Sequence, residues 1–165
     1  MLRHRPSLIV LAAGRGSRFA GGVHKLAQPL GTSTVLATTL VHAIASALPV
    51  LVVTTEALAP IARQHVAARD IVVLPEVGSE PGLGMGRSIA TGVAARADAP
   101  GWLILPADMP LVQPATMVAV AQALEQHPVA YAQFEGRRGH PVGFAAELFS
   151  ELVRLDGDEG ARRLV

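Results

Sequence analysis

Short apolar runs recur along the chain, and none of them alternates strictly between apolar and polar positions. Such runs are typical of strands buried on both faces of a sheet, because a strand with one wet face would alternate. The pattern predicts strands at 8–11, 50–53, 71–74, 103–105 and 129–132.

Segments of helical length lie between these runs, and Pro60 and Pro114 stand where helices begin, a position at which proline is tolerated. The alternation of strands and helices predicts an α/β fold with an open, mostly parallel Rossmann-like sheet, right-handed crossovers and helices on both faces. The predicted helices are 34–47, 58–67, 85–97 and 115–125, followed after the last strand by a polar loop at 135–140, an apolar piece at 141–144 and a helix at 146–155.

Composition supports this prediction and excludes several classes of protein. With 165 residues, 50% of them hydrophobic and 16% charged, the chain has the size of one domain with a sizeable core. A net charge of +1 argues against a general nucleic-acid surface. The uncharged stretch 32–55 contains Pro49 and divides better into a helix and a strand than into a membrane span. The absence of cysteine excludes thiolate chemistry and fits a cytoplasmic location.

The connection after the first predicted strand, LAAGRGSRFAGGVHKL at 11–26, combines four glycines with two arginines and one lysine. Open parallel sheets bind ligands beyond the carboxyl ends of their strands, so a site is expected there. Glycines let backbone N–H groups approach an anion, and the basic side chains add positive potential. The loop predicts a phosphate-chain ligand, against the alternative of a glycine-rich loop with incidental surface charge.

Two common phosphate-binding motifs fit this loop poorly. Phe19 occupies the position of the third glycine in a dinucleotide fingerprint, which disfavours an NAD-dependent oxidoreductase. A Walker A loop needs lysine directly after its last glycine, whereas Val23 follows Gly22.

A second candidate feature is LILPADMPLV at 103–112, in which Asp108 follows an apolar strand between two prolines. Its carboxylate is expected at the same sheet edge as the glycine loop. Mg²⁺ typically takes one or two carboxylates together with substrate phosphates and water, which makes Asp108 a metal-ligand candidate. The competing interpretation is a turn aspartate that bonds its own backbone.

Five motifs that cover essentially the whole chain resemble the MobA/MocA-like molybdenum cofactor nucleotidyltransferases: LAAGRGSRF with Lys25, GLGMGRSI, LPADMP, RRGHPVGF and GDEGAR. RRGHP, GDEGAR and LAAG, in place of the LAGG of the guanylyltransferase branch, resemble the MocA-type cytidylyltransferases. The resemblance implies a nucleotide-diphospho-sugar transferase type of fold and transfer of CMP from CTP to the phosphate of molybdopterin cofactor, with Mg²⁺ and release of pyrophosphate.

The resemblance also implies a role for each motif residue. Lys25, Arg18 and Asp108 would be catalytic, and Asp108 and Asp158 would bind the metal. The remaining candidates would bind the nucleotide (Ala12, Ala13, Gly14, Arg15, Gly16, Gly84, Ser88) or the acceptor (Arg138 and His140, with Arg137 beside them). Plainer interpretations are a helix N-terminus at 82–88, a solvated arginine loop and a Gly/Asp turn at 156–159.

The predicted partners are CTP or GTP, molybdopterin cofactor and a molybdoenzyme or its chaperone, without nucleic acid or membrane. We expect residues 1–165 to form one nucleotidyltransferase domain that stops short of the further strand with which members of this family usually end. Guanylyl transfer, a sugar-phosphate acceptor and a noncatalytic nucleotide-binding module are the alternatives.

Overall fold

The computed structural model describes residues 5–13, 27, 29–30, 33–75, 84–156 and 161–165. The strands are β1 (Ser7–Ala12), β2 (Pro29–Leu30), β3 (Ser33–Thr34), β4 (Val50–Thr55), β5 (Ile71–Leu74), β6 (Gly101–Pro106), β7 (Val129–Phe134) and β8 (Arg137–Ala145). The α-helices are α1 (Val35–Ala45), α2 (Ala59–Arg63), α3 (Met85–Ala95), α4 (Pro114–Ala123) and α5 (Phe149–Leu152), and short 3-10 helices lie at 68–70, 146–148 and 162–164.

Six of the strands form one sheet in the order β5-β4-β1-β6-β8-β7. β1 pairs in parallel with β4 and β6, and β4 pairs in parallel with β5. β8 is antiparallel to both of its neighbours, β6 and β7. The predicted fold class, an open and mostly parallel α/β sheet, is therefore confirmed.

The two central strands explain the missing alternation in the sequence. Every residue of β1 and of β6 is buried, because helices cover both faces of the sheet. On one face, Leu8 and Val10 of β1 pack in a cluster that includes Leu40 of α1 and Met117 of α4. On the other face, Ile9 and Leu11 share a cluster with Ile89 and Val93 of α3 and with Trp102 and Phe144.

Helix α3 lies unusually close to the sheet at Gly92. A Cβ at this position would be 2.8 Å from Cγ2 of Ile9 and 3.2 Å from Cγ2 of Val53. Only glycine lets the helix backbone settle at this depth over β1 and β4.

The prediction of a polar loop at 135–140 is wrong. Glu135 and Gly136, both with positive φ (50° and 78°), form a two-residue turn, and β8 begins at Arg137. Turns of this kind match the twist of the flanking strands, so β7 and β8 form a hairpin. The predicted helix at 146–155 is also shorter than expected, since only Phe149–Leu152 is α-helical. Among the described residues, no helix is long and apolar enough to cross a membrane.

Candidate functional site

The candidate site lies at the carboxyl edge of the sheet, between β1 and β6. The chain leaves β1 towards β4 and β5 on one side, and then crosses back to β6 on the other. This reversal of direction is the switch point at which open α/β sheets bind their ligands. Leu11 lies opposite Pro106, and the Ala107 N–H donates to the Leu11 carbonyl at 2.9 Å. Ala12 and Asp108 therefore leave neighbouring strands side by side.

Ala12 and Ala13 form the end of the first strand. Ala12 is fully buried, and its carbonyl accepts a hydrogen bond from the Thr54 hydroxyl, with 3.2 Å between the two oxygens. Ala13 is half-buried and packs against the cluster that contains Leu11 and Ile89. The two small side chains leave room above the end of β1, and the hydrogen bond from Thr54 holds the backbone of that end in place.

The N-terminus of α3 lies on the face of the sheet against which Ala13 packs. Gly84 is the N-cap, and the buried Ser88 donates its N–H to the Gly84 carbonyl at 3.4 Å. The first turn of α3 holds no acidic residue, so no carboxylate of its own offsets the positive end of the helix dipole. Ile89, the next residue, belongs to the same buried cluster as Leu11 of β1, so this end of α3 lies on the face of the sheet to which Leu11 points.

Asp108 is exposed although it follows seven buried residues of β6 and its extension, 101–107. The chain emerges from the core at this point, and the carboxylate is the first group to reach solvent. A buried strand that ends in an exposed carboxylate suits binding of a cation or of a polar ligand.

A bulge in β8 brings His140 to the same site. Tyr131 lies opposite Val142 and Gln133 opposite Arg138, so residues 139–141 of β8 stand opposite Ala132 alone. Bulges redirect side chains and are frequent beside active sites. His140 is half-buried; burial lowers its pKa below the ordinary 6.5, and the Asp108 carboxylate opposes that shift. His140 and Asp108 therefore share one electrostatic environment, in which burial favours the neutral imidazole.

Arginines extend this site along the β7–β8 hairpin. Because β8 runs antiparallel to β6, its first residues lie at the carboxyl edge of the parallel strands. Arg137 and Arg138 are both exposed, and the guanidinium carbon of Arg138 lies 5.4 Å from the ring centroid of Tyr131. This cation–π contact holds an exposed guanidinium ready for an anion.

The structure thus brings six of the predicted site residues to one edge: Ala12, Ala13, Gly84, Ser88, Asp108 and His140, with Arg138 on the adjoining hairpin. The other candidates, Gly14, Arg15, Gly16, Arg18, Lys25 and Asp158, lie outside the described residues, and their roles stay predictions. Sequence reasoning missed Thr54 and Tyr131, since an uncharged strand residue and an isolated tyrosine give no local signal of a contact across the sheet.

A metal at this edge would need ligands from the substrate. The part of the chain that the structure describes holds no group of three or more His, Cys, Asp or Glu side chains suited to a metal. Asp108 offers hard carboxylate oxygens at an exposed position. A single exposed carboxylate fits a Mg²⁺-like ion whose remaining ligands are substrate phosphates and water. The described residues alone would not provide a complete ligand set.

A mostly parallel sheet covered by helices, with small residues, a helix N-terminus and an exposed carboxylate at its switch point, defines an α/β domain of the nucleotide-binding type. The sequence model of the MobA-like NTP transferase domain matches residues 8–165. The chain belongs to this family. The predicted family is thereby confirmed.

One curated relative is similar to most of the chain. The chain is 34% identical over 158 residues to the bifunctional protein GlmU of Cereibacter sphaeroides, a match covering 90% of this chain and 34% of that protein. The chain thus spans about a third of the length of this curated relative.

Solved structures are similar over nearly the whole chain. Rv0371c from Mycobacterium tuberculosis H37Rv has a TM-score of 0.78 and 27% identity, with 99% of this chain and 83% of that chain covered. Its complex with manganese has a TM-score of 0.77 and 26% identity, with coverage of 99% and 82%. A nucleotidyl transferase from Methanothermobacter has a TM-score of 0.67 and 26% identity, with coverage of 93% and 77%.

Proposed function

We propose that the protein transfers CMP from CTP to the phosphate of molybdopterin or its molybdenum cofactor, with release of pyrophosphate. One observation carries the proposal: the chain belongs to the MobA-like NTP transferase family, and at the switch point of its sheet Asp108 follows β6 beside Ala12 and Ala13 at the end of β1. The motifs LAAG, RRGHP and GDEGAR support the cytidylyl branch of the family. A molybdoenzyme or its chaperone as receiver of the product belongs to the same proposal.

The reaction needs no protein nucleophile. A phosphate oxygen of the acceptor attacks the α-phosphorus of CTP, and the bond from that phosphorus to the bridging oxygen of the β-phosphate breaks. The electron pair leaves with pyrophosphate. Catalysis then consists of holding the two substrates in line and balancing negative charge.

The nucleotide half of the site is proposed to extend from β1. Gly14 and Gly16 would offer backbone N–H groups to the triphosphate, and Arg15 and Arg18 would flank its β- and γ-phosphates. Lys25 would lie against the α-phosphate, where charge develops. Ala12 and Ala13 would lie under the base, with Gly84 and Ser88 at the base and ribose.

Asp108 and Asp158 are the proposed ligands of a divalent cation, Mg²⁺ in our proposal. The manganese complex of Rv0371c supports a divalent cation in this family. When bound, the ion would neutralise the triphosphate and assist departure of pyrophosphate. The exposed carboxylate of Asp108 fits that use, since substrate oxygens can complete the ligand set.

The acceptor half is proposed to lie on the β7–β8 hairpin. Arg138, held over Tyr131, would bind the phosphate of the acceptor through charge-assisted hydrogen bonds. His140, whose pKa burial lowers, would orient that phosphate as a neutral hydrogen-bonding group. A general-base role is unnecessary, because a phosphate monoester is ionised at neutral pH.

Calorimetric titration with CTP, GTP and ATP, with and without Mg²⁺, tests the nucleotide part of the proposal. We expect tightest binding of CTP and a requirement for the metal. Pyrophosphate release from CTP on addition of molybdopterin then tests the acceptor. A preference for GTP would indicate guanylyl transfer instead, and CTP binding without turnover on any phosphorylated acceptor would indicate a noncatalytic nucleotide-binding module.

A second candidate function is nucleotidyl transfer to another phosphorylated acceptor, such as a sugar phosphate. It is favoured by the chemistry of Arg138 and His140, which recognise a phosphate and distinguish poorly what the phosphate is attached to. Pyrophosphate release with sugar phosphates but not with molybdopterin would decide for this candidate.

A further inference from the structure

Thr39 of α1 is a fully buried polar residue that is not among the predicted site residues. Its hydroxyl lies 3.0 Å from the Val35 carbonyl one turn earlier in the helix, and 2.7 Å from the Ala107 carbonyl on the extension of β6. The first bond is a common way for a threonine to satisfy its hydroxyl within a helix. The second and shorter bond connects α1 to the residue directly before Asp108.

The peptide groups of Ala107 are thereby held from two sides. The Ala107 N–H donates to the Leu11 carbonyl of β1 at 2.9 Å, and the Ala107 carbonyl accepts the Thr39 hydroxyl. Ala107 itself is only 1% exposed, whereas Asp108 is exposed. The last fixed point of the chain before the carboxylate is therefore an alanine bound to the sheet on one side and to α1 on the other.

The neighbouring Thr38 shows what a threonine in this helix does without that bond. Its hydroxyl donates to the Thr34 carbonyl at 2.9 Å, the same one-turn bond that Thr39 makes, and it is half-buried. The one-turn bond is thus enough for the hydroxyl of a threonine in this helix, and the bond from Thr39 to Ala107 is an additional contact. Leu36 and Leu40, on either side of Thr39 in α1, belong to the buried cluster, and an isosteric valine would keep the shape of the Thr39 side chain while removing its hydroxyl.

We propose that Thr39 is a positioning residue for the Asp108 loop: its hydroxyl fixes the Ala107 carbonyl and thereby aims the Asp108 carboxylate at the nucleotide and cation. The inference rests on the proposed role of Asp108 as a metal ligand. Groups that orient metal ligands from behind commonly matter nearly as much as the ligands themselves.

Amide hydrogen exchange of the free protein tests the positioning directly. Thr39→Val removes the hydroxyl and keeps the shape of the side chain, so we expect faster exchange in the segment 107–112. Thr38→Val is the matched control and should leave that segment unchanged. Unchanged exchange at 107–112 in Thr39→Val would overturn the proposal. If Thr39→Val does not fold, Thr39→Ala is compared with Thr39→Ser, since both lack the methyl group and only alanine lacks the hydroxyl.

Binding of Mn²⁺ in the presence of CTP, followed by electron paramagnetic resonance, tests the consequence for the site. We expect Thr39→Val to raise the dissociation constant of Mn²⁺ about tenfold, at the low end of what supporting residues of metal sites contribute. Thr39→Ser should restore the affinity, and Thr38→Val should match the wild type. Wild-type Mn²⁺ affinity in Thr39→Val, with weakened affinity in Asp108→Asn, would overturn the inference about Thr39 and leave the proposed role of Asp108 standing.

The proposed function fails by a different result. If Asp108→Asn binds Mn²⁺ and CTP as the wild type does, Asp108 is not the metal ligand. Hydrogen exchange at 107–112 would then still report whether Thr39 holds the loop, so the two failures are separable.

Discussion

The carboxyl edge of β1 and β6 and the tip of the β7–β8 hairpin belong to one sheet but differ in their surroundings. Every residue of β1 and β6 is buried, whereas Phe134 is 76% exposed and Arg137 and Arg138 face solvent. The first region is held by packing on both faces, the second by strand pairing and one cation–π contact. Nucleotide binding would thus rest on the rigid core and acceptor binding on a peripheral hairpin, where substitutions cost little stability.

The largest expected effect is that of Asp108→Asn, which tests whether catalysis depends on the carboxyl edge of β1 and β6. Removal of the charge should lower turnover by roughly 10²-fold or more, as is typical for loss of a group that stabilises transition-state charge. The free energy of unfolding should hardly change, because the Asp108 side chain is exposed. Pyrophosphate release and urea unfolding measure the two quantities. Asp98→Asn, another exposed aspartate, is the control, and full activity of Asp108→Asn would exclude the proposed metal role.

Arg138→Gln tests the hairpin. Hydrogen bonds to charged groups contribute about 1.5–3 kcal/mol, so the Michaelis constant for the acceptor should rise by roughly 10- to 100-fold. The turnover number and the affinity for CTP should stay near wild-type values, since Arg138 is proposed to contact only the acceptor. Steady-state kinetics with varied acceptor measure this, beside the exposed control Arg154→Gln. A loss of CTP affinity in Arg138→Gln would show that the two regions are not separate.

Gly92→Ala should act on the core instead. Its Cβ would meet Cγ2 of Ile9 at 2.8 Å, and overpacking of a buried site costs about 1–3 kcal/mol. We expect a lower urea midpoint with an unchanged slope of the transition. Gly139→Ala on β8 is the comparison, because its nearest neighbour, the Ala132 carbonyl oxygen, would be 3.4 Å away. Equal destabilisation by the two substitutions would contradict the contrast between core and hairpin.

The smallest expected effect concerns His140 and pH. Burial lowers the pKa of His140 below 6.5, so the unfolded chain binds more protons at this residue between the two pKa values. Its contribution to stability is complete above pH 6.5 and is lost as the pH falls through the folded-state pKa. His140→Gln should therefore lose less stability on acidification than the wild type, measured by urea unfolding at several pH values without added metal. A steeper loss in the variant would contradict the direction of the shift.

Much of the sheet could be predicted from the sequence because its central strands are apolar on both faces. The predicted strands at 8–11, 50–53, 71–74, 103–105 and 129–132 all lie within strands of the structure. The position of Asp108 directly after a strand could be predicted in the same way, because it depends only on neighbouring residues in the chain. The first half of β8 could not be predicted, because Arg137 and Arg138, together with Glu135 and Gly136 before them, have the polar character of a loop.

The sequence by itself determined the features that can be recognised from a few consecutive residues: the apolar strands, the helix starts marked by proline and the carboxylate that follows β6. Tertiary structure alone decided which of these elements meet. The bond from Thr39 to Ala107 spans 68 positions, and the shared environment of His140 and Asp108 depends on β8 entering the sheet beside β6. Such contacts arise from strand order and helix packing, which join residues far apart in the chain and leave no periodic signal in it.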